Sequence, residues 1–450
     1  MPTYTAFLGH QPHISTAELA AVVPGFKMVS APYKHLLVFE SSSPLTQRDF
    51  NSWGGIFILS EHFPLPDSLQ NLSLFDPKSH LLQRSALSPL SDAIINLLAD
   101  TLKVRKRGKV TFSLRTEGLP PQYVKNLYRT CKEHLRRQGR PCRYIGNERK
   151  AAVPVLLHAS KIIGSSDGCE LTIITDSGEG TPDVYIGRTV GAQDTNAYTH
   201  RDMEKPARDT RVGLLPPKLA QVMLNLGQWA AESRQQASGN EKKRQKQFMV
   251  YDPFCGTGVI PLECLLRGWN VLASDASLKA VHATEKNIEW LRKEYKIFKK
   301  DVSSDVWKHD ATKSFDTKSH SALLEELDVI VSETSLGPTF VDRPTLAEVG
   351  KLKTANEKLQ SAFLENVAHT LPGIPIVCSW PVWYSRSGPI ALERVWKAIE
   401  KLHFIPVLPP EVLPSSPSRL SLVYRRPEQN VGREIVILKP KHFPLPAGEG

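Results

Sequence analysis

Cysteine is scarce in this chain and never paired. Cys131, Cys142, Cys169, Cys255, Cys264 and Cys378 are scattered over 450 residues without C-x-x-C spacing, which argues against a zinc ribbon and a disulfide framework. They read as packing thiols of a reducing compartment. The 14 histidines include no H-E-x-x-H pair, so no metal is expected. No stretch approaches the roughly 18 consecutive apolar residues of a membrane span. Residues 1–30 lack the basic start, apolar core and small-residue cleavage site of a secretory signal. The expectation is a soluble, cytoplasmic protein with no membrane partner.

What is present is ordinary globular composition, 41% hydrophobic and 23% charged, in a chain too long for one core; roughly two to four domains are expected. Its net charge of +11 is unevenly placed. Residues 101–150 hold 15 Lys and Arg against the acids Glu117, Glu133 and Glu148, or +12, leaving 42 against 43, or −1, elsewhere. Arg105, Lys106 and Arg107 precede a strand, VTFSLR, and a helix opens near Pro120. On that helix Val124, Leu127, Tyr128, Cys131 and Leu135 share one side, and Lys125, Arg129, Lys132 and Arg136 another. A solvated charged face would explain one such helix. Arg140 and Arg143 in the same module add to the cationic concentration, the footprint of a polyanion partner.

Residues 249–277 read MVYDPFCGTGVIPLECLLRGWNVLASDAS. An apolar run meets Asp252, crosses a loop carrying Phe254, Gly256 and Gly258, enters a helix, and returns as a second apolar run ending at Asp275. The glycines permit a tight turn and close backbone approach to a ligand. Asp275 stands where a carboxylate accepts ribose hydroxyls in nucleotide-binding sheets. A dinucleotide fingerprint needs G-x-G-x-x-G to seat a pyrophosphate, but Pro261 occupies the third glycine position. An acid before the loop suits a cationic, phosphate-free cofactor such as S-adenosylmethionine. A dinucleotide enzyme and a turn that binds nothing remain the alternatives.

Strand patterns at 3–8, 35–40 and 56–60, with a helix at 15–22, fit a small α+β unit. Then come a helix near 85–101, strands at 110–115, 170–175 and 183–187, an extended polar connector over 188–213, and a helix from Pro216 and Pro217 to about Ala231. From 249 onward strands and helices alternate: strand 249–254, helix 258–267, strand 270–274, helix 278–293, strand 327–333, helix 343–370, strand 374–380, helix 390–402. Two last strands follow at 420–426 and 433–439. Alternation of this kind means a mostly parallel α/β sheet covered on both faces, and a hairpin closing such a sheet is what S-adenosylmethionine methyltransferases carry.

At this point the chain resembles the THUMP-domain RNA methyltransferases that act on the guanine N2 of tRNA near position 10. The likeness runs nearly end to end. It is carried by AFLGHQPHISTAEL at 6–19, the basic module near 81–187, RDMEKPARDTRVGLLPPKLAQVMLNL at 201–226, DPFCGTG at 252–258, and REIVILK in the last strand. The resemblance implies a ferredoxin-like unit over 1–80, a THUMP RNA-binding domain over 81–187, a connector over 188–215 and a Rossmann-like class I methyltransferase domain over 216–450. It further implies tRNA as partner, gripped through shape and phosphates, with a base extruded toward the cofactor, and leaves room for a small activator subunit. Asp252 would face the methionine amino group, Asp275 the ribose, and Asp310 with Ala311, in HDAT at 309–312, the adenine.

Amino-methyltransferases place an Asp or Asn, two prolines and an aromatic at the end of the fourth strand, where acceptors bind the amine protons and the ring stacks on the base. After LDVIV this chain reads Ser332, Glu333, Thr334, Ser335, Leu336, Gly337, Pro338. The acid is kept; the proline pair and the aromatic are not. Glu333, with Ser332, Leu336 and Gly337 around it, is expected to accept from the amine. A stacking ring would come from Phe340, Trp380 or Trp383, unless these are core. An amino-methyltransferase for another RNA base and a catalytically silent RNA-binding protein remain open.

Overall fold

The computed structural model describes residues 1–70, 72–76, 79, 81–102, 109–178, 183–209, 214–237, 247–315, 326–338, 340 and 342–440. It divides into two units. Met1–Pro12, Val23–Asn51 and Ile56–Ala197 form the first, and His13–Val22, Ser52–Gly55 and Tyr198–Gly450 the second.

The first unit is built on β1 (Thr3–Leu8), β2 (Lys27–Ser30), β3 (Leu36–Glu40), β4 (Ile56–His62), β5 (Val110–Glu117), β6 (Cys142–Tyr144), β7 (Gly168–Thr175) and β8 (Val184–Ala192). They form one sheet in the order β2-β3-β1-β4-β8-β7-β5-β6. Strands from 1–80 and from 81–187 thus share a sheet, joined where β4 and β8 pair antiparallel from Ile58↔Ala192 to His62↔Gly187. Along Pro121–Arg137, Val124, Leu127, Cys131 and Leu135 are buried, while Arg129 and Arg136 are exposed and Lys125 and Lys132 half-buried. Proline in the first turn costs this helix nothing, because the donor it lacks has no intrahelical partner there. Arg105, Lys106 and Arg107 lie outside the described residues.

The stretch expected to be an extended connector over 188–213 is more ordered than that. β8 runs on to Ala192, paired with both β4 and β7, and Thr195–Met203 is a helix. Arg188 and Thr189 look like connector residues but alternate across the sheet, Arg188 exposed and Thr189 buried. There the Thr189 hydroxyl donates to Glu170 at 2.7 Å.

The second unit carries β9 (Met249–Asp252), β10 (Asn270–Asp275), β11 (Ser304–Lys308), β12 (Val329–Glu333), β13 (Ile376–Ser385), β14 (Gly388–Ile390), β15 (Phe404–Pro406), β16 (Leu422–Tyr424) and β17 (Val431–Pro440). Their order is β11-β10-β9-β12-β13-β17-β15, with β14 on β13 and β16 on β17. The strands from β11 across to β13 run parallel; β17 is antiparallel to β13, β15 and β16. This is a Rossmann-like α/β sheet closed by the antiparallel β16–β17 hairpin.

Period-2 alternation sorts its buried strands onto two covered faces. Val250, Val329, Val331, Val377 and Ile435 pack with Met223, Leu226, Ile260 and Leu291. Tyr251, Ile330, Ile376, Cys378 and Val436 pack with Phe363, Leu364, Val367 and Ile399. After β9 the chain travels outward through β10 and β11 before returning on the other side of β9 as β12. That reversal opens a crevice at the carboxyl ends of β9 and β12, where open α/β sheets bind ligands.

Candidate cofactor and acceptor site

A cleft of about 760 Å³ occupies that crevice. Asp252, Phe254, Gly256, Asp275, Glu333, Leu336 and Gly337 line it, so most of the residues singled out from the sequence converge on one cavity. Phe254 is the aromatic in the lining among the described residues, its ring edge-on to Phe363 at 5.2 Å.

Asp252 ends β9 and is 2% exposed. One oxygen, Oδ1, accepts from the Ser332 hydroxyl at 2.6 Å and from the Phe254 amide at 3.2 Å. Burial pushes its carboxyl up to about 7; the neighbouring carboxylates Asp275 and Glu333 push the same way, against these two hydrogen bonds. Ser332 is therefore not on the cleft surface but beneath it, fixing the orientation of Asp252.

The loop after Asp252 is shaped by its glycines. Gly256 has φ +54° and only Phe254 O, at 4.0 Å, near a would-be Cβ, so its side faces open space. Gly258 has φ +84°, and a Cβ there would stand 2.9 Å from Thr284 Cγ2. Gly258 thus lets the helix Leu278–Tyr295 press against the loop. Thr284 donates to the Gly256 carbonyl at 3.1 Å, and Asn287 donates to the carbonyls of Thr257 and Ala207, at 2.8 and 2.9 Å. Asp275 grips the same loop from β10, accepting from the Gly256 amide at 3.1 Å with Oδ2 and from the Ser277 amide at 2.9 Å with Oδ1. Each carboxylate oxygen keeps further acceptor capacity for a ligand hydroxyl.

Glu333, at the end of β12, is in an ion pair with Arg433 of β17, whose Nε donates to Oε1. The guanidinium is itself anchored on the Leu214 carbonyl at 3.1 Å. Burial pushes the Glu333 carboxyl above its usual range, and Arg433 pulls it back. Gly337, at φ +77°, lets the chain turn after Leu336 and form the rim with Pro338. Thr334 donates to the Ser379 carbonyl at 2.9 Å and accepts from Gln360 at 2.6 Å, holding this segment to β13 and the helix Leu346–Thr370.

Five further expected participants stand elsewhere. Asp310 caps its own turn, accepting from the Thr312 amide and hydroxyl at 3.0 and 2.7 Å, bonds that hold its carboxyl below the usual range. Ala311 is buried, its carbonyl accepting from Asn366 at 2.9 Å. Neither lines the cleft. Trp380 and Trp383 are 0% exposed and belong to the core; the Trp380 indole donates to Glu434 at 2.9 Å. They do not present a ring to a base. Phe340 is half-buried beside the core, with its carbonyl accepting from Asn430 at 3.4 Å.

Sequence reasoning missed one wall. Ala207, Arg208, Asp209, Leu214 and Leu215 line the cleft from the connector, and Asp209 is paired with Lys279 at 2.8 Å. The signal for Thr284 and Asn287 was available: buried polar residues at i and i+3 on a helix facing a glycine loop. Nothing local marked Arg433, which lies 100 residues beyond its partner.

Among the described residues no helix is long and apolar enough to cross a membrane, and no group of three or more metal-ligating side chains forms. The family model "Conserved hypothetical protein 95" matches residues 234–320. A search of curated proteins returns no match. Among solved structures the chain is similar to TrmN from Thermus thermophilus, at 15% identity over 98% of this chain and 100% of that one, TM-score 0.48. It is also similar to an S-adenosylmethionine-dependent methyltransferase from Methanosarcina mazei (13%, 44% and 94%, TM-score 0.28). A third likeness is to the Pyrococcus abyssi tRNA (uracil-54, C5)-methyltransferase in complex with S-adenosyl-L-homocysteine (10%, 60% and 50%, TM-score 0.28). None of the three reaches a TM-score of 0.5, so the chemistry of this chain rests on the residues of its own cleft.

Proposed function

We propose that the chain is an S-adenosylmethionine-dependent RNA methyltransferase of the cytoplasm, acting on the exocyclic N2 of a guanosine in tRNA. The observation that carries this reading is the convergence of Asp252, Asp275 and Glu333 on one cleft at the sheet's reversal point, beside a glycine loop with open space at Gly256. With Asp209, which Lys279 pairs, the carboxylates of the lining outnumber its cations Arg208 and Lys279, which favours a cationic donor over a phosphate-bearing cofactor. When bound, that donor supplies a methyl group on a positively charged sulfur.

The residues of the chain fit that ligand. Asp252, oriented by Ser332, takes the ammonium of the methionine part; Asp275 takes the ribose hydroxyls; Gly256 and Gly258 keep the backbone close. Asp310 and Ala311 remain assigned to the adenine end, which requires Asp310 to turn from Thr312. At the other end, Glu333 faces the acceptor. With the donor bound, its methyl carbon would pass to the guanine N2, sulfur keeping the carbon–sulfur electron pair, and the proton lost from N2 would leave to water. Glu333, held by Arg433, accepts a hydrogen bond from the amine as positive charge develops, a preorganised electrostatic effect. Leu336 and Gly337 shape the rim over which the base enters.

The test is transfer of labelled methyl groups to tRNA, followed by nucleoside mass spectrometry. The expected product is N2-methylguanosine; label on another base moves the target, and no transfer ends the reading. Glu333→Gln should lower kcat by about 10²–10³ while leaving tRNA affinity within about twofold. Unchanged turnover would remove Glu333 from the acceptor role. A second reading, an RNA-binding chain that holds the donor without transfer, draws on the occupation of Glu333 by Arg433, and the same mass spectra separate the two.

A further inference from the structure

The hairpin ends beside the acceptor side of the cleft carry arginines interleaved with tyrosines. β13 continues past the point where β12 stops, ending at Ser385 and turning back into β14. The Tyr384 amide donates to the Asn430 carbonyl at 2.9 Å, so the ring of Tyr384 lies over the start of β17. Gly432 makes room for it: a Cβ there would stand 3.1 Å from Tyr384 Cε2. On the Tyr384 ring the Arg425 guanidinium is stacked at 3.8 Å. It is held flat by the carbonyls of Gln429, at 2.9 Å, and Pro427, at 3.4 Å. Arg426 is exposed and donates to the Tyr424 hydroxyl at 3.3 Å. Arg386 is exposed on the β13–β14 turn. Glu428 is the acid on these hairpin ends, and it and Asp202 both act on Arg426 electrostatically.

This edge is contiguous with the cleft. Tyr424 pairs across the sheet with Arg433, the residue that holds Glu333, and the Arg433 guanidinium lies 5.9 Å from the Tyr424 ring. Asn430 bonds Phe340, two residues from the rim residue Pro338.

We infer that Tyr384, Arg386, Tyr424, Arg425 and Arg426 form an RNA-docking edge of the second unit, which grips the unpaired nucleotides flanking the target base. The inference rests on the methyltransferase reading for its substrate, and adds a grip that is separate from the basic helix of the first unit. Planar guanidinium groups backed by aromatic rings suit both phosphates and base faces. An extruded base needs its neighbours held where the reaction occurs.

The test uses the full chain with tRNA containing 4-thiouridine. Irradiation is expected to cross-link peptides spanning 384–390 and 424–430. Changing Arg386, Arg425 and Arg426 together to Ala should weaken tRNA binding about tenfold or more. The slope of log K against log salt should become shallower by about 2, with donor affinity unchanged. Arg425→Lys, which keeps the charge but loses the planar stack, should lose the 424–430 cross-link. Unchanged tRNA affinity together with cross-links confined to other peptides would overturn the edge. Displacement of the RNA by polyglutamate as effectively as by unlabelled RNA would also overturn it, in favour of an acidic peptide. Wild-type label transfer is scored apart: cross-links at both hairpins without transfer would retain this edge and remove the methyltransferase reading.

Discussion

Asp252 bears the largest electrostatic burden in the cleft. Burial holds its carboxyl at about 7, well above an ordinary aspartate. The folded state therefore keeps a proton that the unfolded chain releases near pH 4, and ionising Asp252 costs stability as pH rises from about 4 to 7. A cationic ligand reverses that preference. Donor binding should release a proton below pH 7, so affinity rises with pH and levels off above it, by up to about tenfold per unit on the acid side. Calorimetry in buffers of different ionisation enthalpy measures the proton directly, and Asp252→Asn should weaken binding and abolish its pH dependence. Affinity independent of pH in the wild type would contradict this role. Asp252, Gly256, Gly258 and Asp275 were legible because one local stretch of chain holds all four. Ser332 was legible as a neighbour of Glu333 but not as the partner of Asp252, since that contact depends on β12 lying beside β9.

Elements that are buried on both faces declared themselves. β9, β12 and β13 are apolar runs bounded by turn residues, and the sequence pattern finds each of them. β11 was missed because Ser304, Asp305, Val306 and Trp307 are half-buried at the sheet edge, where a polar and apolar mixture resembles loop. β15 is three residues ending in Pro406, tolerated because β15 lies at the opposite edge. The helix Thr195–Met203 buries only Arg201, which pairs with Glu263 at 2.6 Å, so no apolar stripe announced it. At this scale the loop–helix contact makes a graded prediction. Gly256→Ala should cost about 1–2 kcal/mol through backbone strain alone. Gly258→Ala adds a collision with Thr284 and should unfold at clearly lower temperature and lose donor binding. Thr284→Ser, which removes Cγ2, should restore part of it. Equal melting temperatures for the two glycine variants would show that the contact is not limiting.

At the scale of the whole molecule, positive charge is concentrated in one segment. The excess positive charge lies in 101–150, while four carboxylates, Asp209, Asp252, Asp275 and Glu333, line the cleft of the second unit against Arg208 and Lys279. The composition made the first part visible, because a run of 15 cations against three acids needs no fold to be counted. The sheet that joins 1–80 to 81–187 was not visible, because pairing between β4 and β8 spans more than 100 residues. Neutralising Lys125, Arg129, Lys132 and Arg136 together should weaken tRNA binding across unrelated sequences and flatten the salt slope by about 3. An unchanged slope would leave that face a solubility device. The most direct measurement of the central claim is calorimetric titration of the full chain with S-adenosylmethionine at pH 8. One molecule bound per chain, lost on Asp252→Ala, is the predicted result; no heat at millimolar ligand, or binding that Asp252→Ala leaves intact, would contradict it.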